Sequence, residues 1–275
     1  MENKNAIIAA VVVIIVIIAA AGVYLAFGNN GGDNGDDDET PGVTFLIQDD
    51  QGMYFWIDGQ GETVMAAFQD AVETFDIPYE PSVDADGSVY GIQSIFGMEM
   101  TSDAEGNWTW WGQYTWTDGA WAFANVGMAE MTPEDTSNYF AIVYGDGSVD
   151  LTTLATPEDA VVWDGQNSGT LFTIKSSSGM YFQVDGSGTT VLDALEDAVE
   201  TYKIPFEPSR DADGNSYGIQ SIFGMEMASD ADGNWTWWGQ FSKEDGNWVQ
   251  TQYMMSELQS ADYAEFGLSY GSGEF

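Results

Sequence analysis

The sequence predicts an α+β fold, built as two tandem copies of one unit behind a single transmembrane helix and an acidic stalk. Three observations carry that expectation. One glycine-punctuated aromatic segment occurs twice at constant spacing. Each occurrence is preceded by an apolar stripe of helical period, and an uncharged apolar run lies near the amino terminus.

The amino-terminal run, "AIIAAVVVIIVIIAAAGVYLAF" (Ala6 to Phe27), carries no charge over 22 residues. That length spans the hydrocarbon core of a bilayer as a helix. Tyr24 and Phe27 sit at one end, where amphipathic aromatics mark an interface. Lys4 before the run and acidic residues after it place residues 1–5 in the cytoplasm and the rest of the chain outside. A cleaved signal peptide is the competing reading, with Ala19, Ala20 and Ala21 as a small-residue processing site. "GNNGGDNGDDDETPG" (Gly28 to Gly42) follows. It is too polar to bury and extends by self-repulsion, so residues 28–41 read as a flexible linker. The expected localisation is the cell membrane, single-pass, with the domains on the extracytoplasmic side.

Composition narrows the chemistry. Of 275 residues, 45 are acidic and 5 basic, for a formal net charge of −40. Such a surface repels nucleic acid and suits a saline, halophilic or archaeal setting where counterions screen it. Cys and His are both absent. Disulfides, thiolate chemistry, His-based general bases and most transition-metal sites go with them. No enzyme activity, metal or cofactor is expected.

The repeated segment is "YGIQSIFGMEMTSDAEGNWTWWGQ", Tyr90 to Gln113, which returns from Tyr217 to Gln240. Only Thr101/Ala228 and Glu105/Asp232 differ, at an offset of 127. "GMYFWIDG" from Gly52 returns as "GMYFQVDG" from Gly179, and "AVETFDIPYEPS" from Ala71 as "AVETYKIPFEPS" from Ala198. The copies are therefore residues 42–150 and 168–275, with 151–167 as a connector. "TTVLDALEDAVETYKIP" sets Val191, Leu195, Ala198, Val199 and Tyr202 on one helical face, capped by Thr189 or Thr190 and stopped by Pro205. Val64, Phe68, Ala71, Val72 and Phe75 repeat that stripe. Around it, "MYFQV", "YGIQSIFGMEM", "WTWWGQF" and "WVQTQYM" read as strands joined by Asp-Gly and Asn-containing turns. Each copy is thus one helix against an antiparallel sheet.

These residues resemble a known family. "GTTVLDALEDA", then "YGIQSIFGM", "NWTWWGQF" and "DGNW", are similar to the transcobalamin-like C-terminal domain, which closes over cobalamin in transcobalamin and intrinsic factor. Thr190, Val191, Leu192, Ala194 and Leu195 match its helix start. Ser221, Ile222 and Gly224 match its Ser-Ile-x-Gly strand, and Trp237, Trp238 and Gly246 its Trp-rich strand and turn. The first copy matches at Ser94, Ile95, Gly97, Trp110, Trp111 and Gly119, with a degraded helix start. The resemblance implies two tandem β-grasp-like domains related to soluble-ligand-binding modules. The large helical barrel of the vitamin carriers has no counterpart in this sequence.

The candidate ligand-binding residues are Trp108, Trp110, Trp111 and Gln113, with Trp235, Trp237, Trp238 and Gln240 in the second copy. Indole faces stack on rings, and a neighbouring amide anchors polar groups. The competing reading makes individual tryptophans core residues. Glu99 and Glu226 interrupt apolar strands, and alternation sends them to solvent. The "DADGS", "DAEGN" and "DADGN" segments space oxygen ligands as calcium sites do, yet they lack the Glu of an EF-hand and also read as Asp-Gly turns. Asn107 and Asn234 each open an Asn-Trp-Thr glycosylation acceptor.

The expected function is a membrane-anchored extracytoplasmic binding protein with two duplicated small-ligand modules, for a corrinoid or a glycan. The alternative is a cell-surface structural or adhesion protein whose repeats make protein contacts. The membrane, through the amino-terminal helix, and a surface-protein partner complete the expected interactions.

Overall fold

The computed structural model describes residues 41–229, 233–271 and 275. The first copy opens with a hairpin, β1 (Gly42–Gln48) and β2 (Tyr54–Gln60), followed by helix α1 (Val64–Thr74). Short strands come next: β3 (Tyr79–Val83), β4 (Val89–Ile95), β5 (Met98–Glu99) and β6 (Thr101–Ser102). The long Trp strand β7 (Trp108–Thr117), β8 (Ala120–Phe123) and β9 (Tyr139–Gly145) complete the copy. The second copy repeats this order. It runs from β10 (Thr170–Lys175) and β11 (Tyr181–Gly186) through α2 (Val191–Thr201), β12 (Phe206–Arg210), β13 (Ser216–Ile222), β14 (Met225–Glu226) and β15 (Ala228–Ser229). It ends with β16 (Trp235–Glu244), β17 (Asn247–Gln250) and β18 (Glu265–Gly271).

The α+β class is corrected by this architecture, which among the described residues is mostly β, with 45% strand against 15% helix. Each copy holds two sheets: one ordered β2-β1-β9-β7-β6 with β8 beside β7, and a smaller β3-β4-β5 sheet. The large sheet is mixed, because β1 runs parallel to β9, pairing Phe45 with Phe140. Strands as short as β5 and β6, of two residues each, carry too few residues for a period-two signal, so the strand content exceeds what periodicity shows. A parallel pair between the ends of a copy leaves no local trace at all.

The membrane anchor and the cell-membrane localisation are corrected as well. Among the described residues no helix is long and apolar enough to cross a membrane. Helices α1 and α2 have 11 residues each, about 16 Å of rise against the ~30 Å of a hydrocarbon core. The run Ala6 to Phe27, from which the anchor was inferred, lies outside the described residues, as does the linker up to residue 40.

Local chemistry explains the helices. Thr190 accepts from Asp193 N (3.1 Å) while the Asp193 carboxylate accepts from Thr190 N (3.0 Å), a full capping box. Thr63 accepts from Ala66 N, but alanine at that position leaves nothing to answer back. Both helices stop on a left-handed residue, Asp76 (φ 51°) and Lys203 (φ 57°), two positions before a proline, Pro78 and Pro205. Val64, Phe68, Ala71 and Val72, like Val191, Leu195, Ala198 and Val199, are buried. They share one core with Ile92, Ile95 and Met98 of the small sheet and with Phe45, Ile47, Phe140 and Ile142 of the large one. Helix and small sheet together therefore cover one face of the large sheet.

The described residues form one compact unit, and that core is continuous between the copies. The join is aromatic and reciprocal. Phe55 stacks on Phe182, its counterpart, at 5.6 Å and 13°. Phe96 packs edge-on against Tyr181 at 4.9 Å, and Phe223 against Tyr54 at 4.9 Å. Equivalent residues exchange places, as across a two-fold axis. Phe96 and Phe223 each sit at φ 53°, followed by Gly97 and Gly224 at φ 74°. Two successive positive φ values make the tight hairpin turn between β4 and β5. A phenylalanine in that conformation carries strain of about 1–3 kcal/mol. Placing its ring in the other copy offsets that cost. At the tips of the β1–β2 and β10–β11 hairpins, Ser178 Oγ donates to the buried Asp49 carboxylate (2.7 Å) and Gln51 bonds Ser177.

The helices press on glycine. A Cβ on Gly59 would lie 2.1 Å from Ala67 O, and one on Gly186 2.0 Å from Ala194 O. Backbone cannot yield as a side chain does. Gly59→Ala and Gly186→Ala are each expected to cost about 3 kcal/mol or more in urea unfolding. Gly218→Ala, where a Cβ meets open space, should change stability by no more than about 0.5 kcal/mol. Equal costs at all three sites would contradict this packing.

Candidate functional site

Strand β7 pairs antiparallel with β9, setting Trp111 opposite Tyr144 and Gln113 opposite Ile142. Period-two alternation then divides its side chains. Trp111 and Gln113 face the helix side, while Trp108 and Trp110 face away. Trp111 is 3% exposed and donates from Nε1 to Met98 O at 2.9 Å. Trp238 makes the same bond to Met225 O at 2.9 Å. Tyr144 and Tyr270 hydroxyls donate to the Glu99 and Glu226 carbonyls, both at 2.8 Å. One indole and one phenol thus clamp the short strand β5, and likewise β14. Trp111 and Trp238 belong to the core.

The outward tryptophans differ. Trp108 is 52% exposed and Trp235 59%, both at the start of the long strand. Trp237 is 40% exposed. Trp110 is half-buried, its ring over the turn at Gly147, where an added Cβ would lie 2.7 Å away. The pairing Thr101↔Thr109 and Ser102↔Trp108, continued by one residue, sets exposed Met100 opposite Trp110. Met227 stands likewise to Trp237. Each copy therefore places two tryptophans and a methionine on one side of a short two-stranded ribbon. Gln113 and Gln240 are half-buried on the opposite face, so the structure separates them from the exposed indoles.

The acidic motifs are occupied by their own turns. Asp84, Asp103 and Asp211 each accept backbone N–H groups two or four residues on. Asn107 Nδ2 donates to Asp103 at 2.8 Å, and this bond leads the interactions that hold the Asp103 carboxyl below its ordinary value. Among the described residues no three acidic side chains converge as a metal site would need; residues 230–232 of the fourth motif lie outside them. Glu99 and Glu226 are exposed, as are Asn107 and Asn234.

A second group of residues is not apparent from the sequence. Tyr54, Trp56, Phe75, Ile77 and their counterparts Tyr181, Gln183, Tyr202 and Ile204 line a cleft between the copies, with Val161 and Trp163 of the connector at its side. Beside it, the 7% exposed Asp185 accepts from Ser168 N (2.7 Å), Ser168 Oγ (2.6 Å), Tyr202 Oη (2.7 Å) and Trp163 Nε1 (3.1 Å). Burial pushes this carboxyl up, but the bonds from Ser168, Tyr202 and Trp163 outweigh it and hold the group below its ordinary value.

No protein-family model matches the chain, and comparison with curated proteins finds no match either.

Because the folded Asp185 titrates lower than the unfolded one, its contribution is complete above the ordinary aspartate range and fades as pH falls through the lowered value. Asp185→Asn should cost about 1.5–3 kcal/mol at neutral pH, the worth of bonds to a charged acceptor. The gap from wild type in thermal unfolding should narrow below about pH 4. A gap independent of pH would contradict the charge-based account.

Proposed function

We propose that the chain is a non-catalytic binding protein that presents two equivalent aromatic surfaces, one per copy, to saccharide rings. The observation that carries this reading is the repeated exposure of Trp108 and its counterpart Trp235 at the start of the long strand, joined by exposed Trp237 in the second copy and by half-buried Trp110 in the first. Large apolar side chains on a monomer's surface cost solubility, so a matched pair of such patches points to a partner. An open indole face favours the apolar face of a sugar ring. The absence of His and Cys supports binding over catalysis. Self-contained acidic turns support it too. The resemblance to the transcobalamin-like domain agrees with a ring-shaped ligand. A one-sided open surface, though, suits a neutral glycan better than a bulky corrinoid that needs enclosure.

Glycan-array binding followed by tryptophan fluorescence titration tests the reading on the full chain. Trp235→Ala should weaken binding at one surface about tenfold, on the order of 1.4 kcal/mol. Trp108→Ala should do the same at the other, and the double variant should bind about tenfold more weakly at both surfaces. Gln113→Ala and Gln240→Ala, on the opposite face, should bind as wild type. Absence of any glycan binding, or equal binding by the double variant, rejects the proposal.

A further inference from the structure

The register of the large sheets fixes where the two tryptophan surfaces lie. Gln48 pairs with Tyr54 and with Val143, and Val143 pairs with Gly112, so these residues form one row across the first sheet. Trp110 pairs with Gly145, further toward the tip of the β1–β2 hairpin, and Trp108 lies beyond it. In the second copy the row is Tyr181, Lys175, Ser269 and Gly239, and Trp237 pairs with Gly271 further along. Each tryptophan surface therefore stands at the end of its sheet where the opening hairpin turns.

The two hairpin tips meet. Ser178 Oγ donates to Asp49 at 2.7 Å, and Gln51 Nε2 donates to Ser177 Oγ at 2.6 Å. Just below the tips, Phe55 of β2 stacks on Phe182 of β11. With tip against tip and Phe55 on its own counterpart, β2 and β11 run in the same direction. Both tryptophan surfaces thus belong to one end of the molecule, on either side of the joined tips, where Asp50, Gln51 and Ser177 are exposed. Three strand spacings separate β7 from β2, and three separate β16 from β11. At ~4.8 Å per spacing, the two tryptophan strands stand within about 40 Å of each other. The continuous core holds that spacing fixed.

A ligand with many rings that has met one surface meets the other at an effective concentration set by this fixed spacing rather than by bulk solution. No linker has to be ordered for the second contact, so ordering takes nothing from that gain. A short oligosaccharide cannot reach across and gains nothing. The formal net charge of −40 repels anionic polysaccharides. We propose that the ligand is a neutral, polymeric glycan held at both tryptophan surfaces at once, with this end of the molecule facing it. The inference rests on the saccharide reading of the exposed tryptophans, and it adds the length of the ligand and its direction of approach.

Cellulose, xylan, mannan and chitin as insoluble polymers, and the trisaccharide of each, are the probes. On the full chain, tryptophan fluorescence reads trisaccharide affinity and depletion isotherms read polymer affinity. A polymer should be held at least about tenfold more tightly than its own trisaccharide. Trp108 and Trp235 are more than half exposed, so replacing either leaves the core untouched. Trp108→Ala and Trp235→Ala should each forfeit the gain and weaken polymer binding about tenfold, while the trisaccharide binds the remaining surface as in wild type. Surfaces that act independently would instead lose only a statistical share of about twofold. That smaller loss, or a polymer held no more tightly than its trisaccharide, overturns the inference and leaves the saccharide reading standing. Absence of binding by every trisaccharide and every polymer overturns both.

Discussion

The stack of Phe55 on Phe182 is the contact on which the rest of the arrangement depends. It brings β2 and β11 together, and both are the outer strands of their large sheets. Around the stack, Phe96 and Phe223 reach across from strained turns, and the hairpin tips bond through Asp49 and Ser178. The cleft beside Trp56 exists only because this join holds the copies at one separation.

The copies differ most on the face of the large sheet away from the helix. In the first, Leu46, Trp56, Tyr114, Trp121, Ala141 and Val143 form an apolar layer covered by Leu154 of the connector, and Trp121 Nε1 bonds Ala155 O at 2.9 Å. In the second, the matching positions include Thr173, Gln183, Gly267 and Ser269. There Phe275 packs against Trp248 and Phe241, with Lys175 over its ring. Polar substitutions and a single ring replace an entire segment of chain. The connector is thus structural covering for the first copy, and by way of Trp163, which bonds Asp185, it also fixes the entry to the second.

Much of this was legible in the residues. Thr190, the stripe of Val191, Leu195 and Val199, and Pro205 mark the second helix because caps, periodicity and stops are local. The Asp-Gly turns are legible for the same reason. Alternation along "WTWWGQ" already separates Gln113 from Trp110, so the division of the site between two faces required only counting. Other features were not legible. Which face of that strand is core depends on β9 and on the Met98 carbonyl, distant in sequence. Phe96 reads as a turn anomaly until Tyr181 stands beside it. The parallel pairing of β1 with β9 and the prevalence of very short strands are global properties, and they moved the fold away from the expected class.

Fusing two copies into one chain has a consequence for how the join can change. In an assembly of two identical chains, any substitution at a shared surface appears on both sides of the axis at once, so a pocket on that axis stays symmetric. Here position 56 is tryptophan and its mate at 183 is glutamine, an unequal pair that no homodimer could encode. Covalent linkage frees each half of the seam to vary alone, and it removes the concentration dependence that a two-chain version would carry. The seam is therefore where the two copies are free to acquire unequal roles.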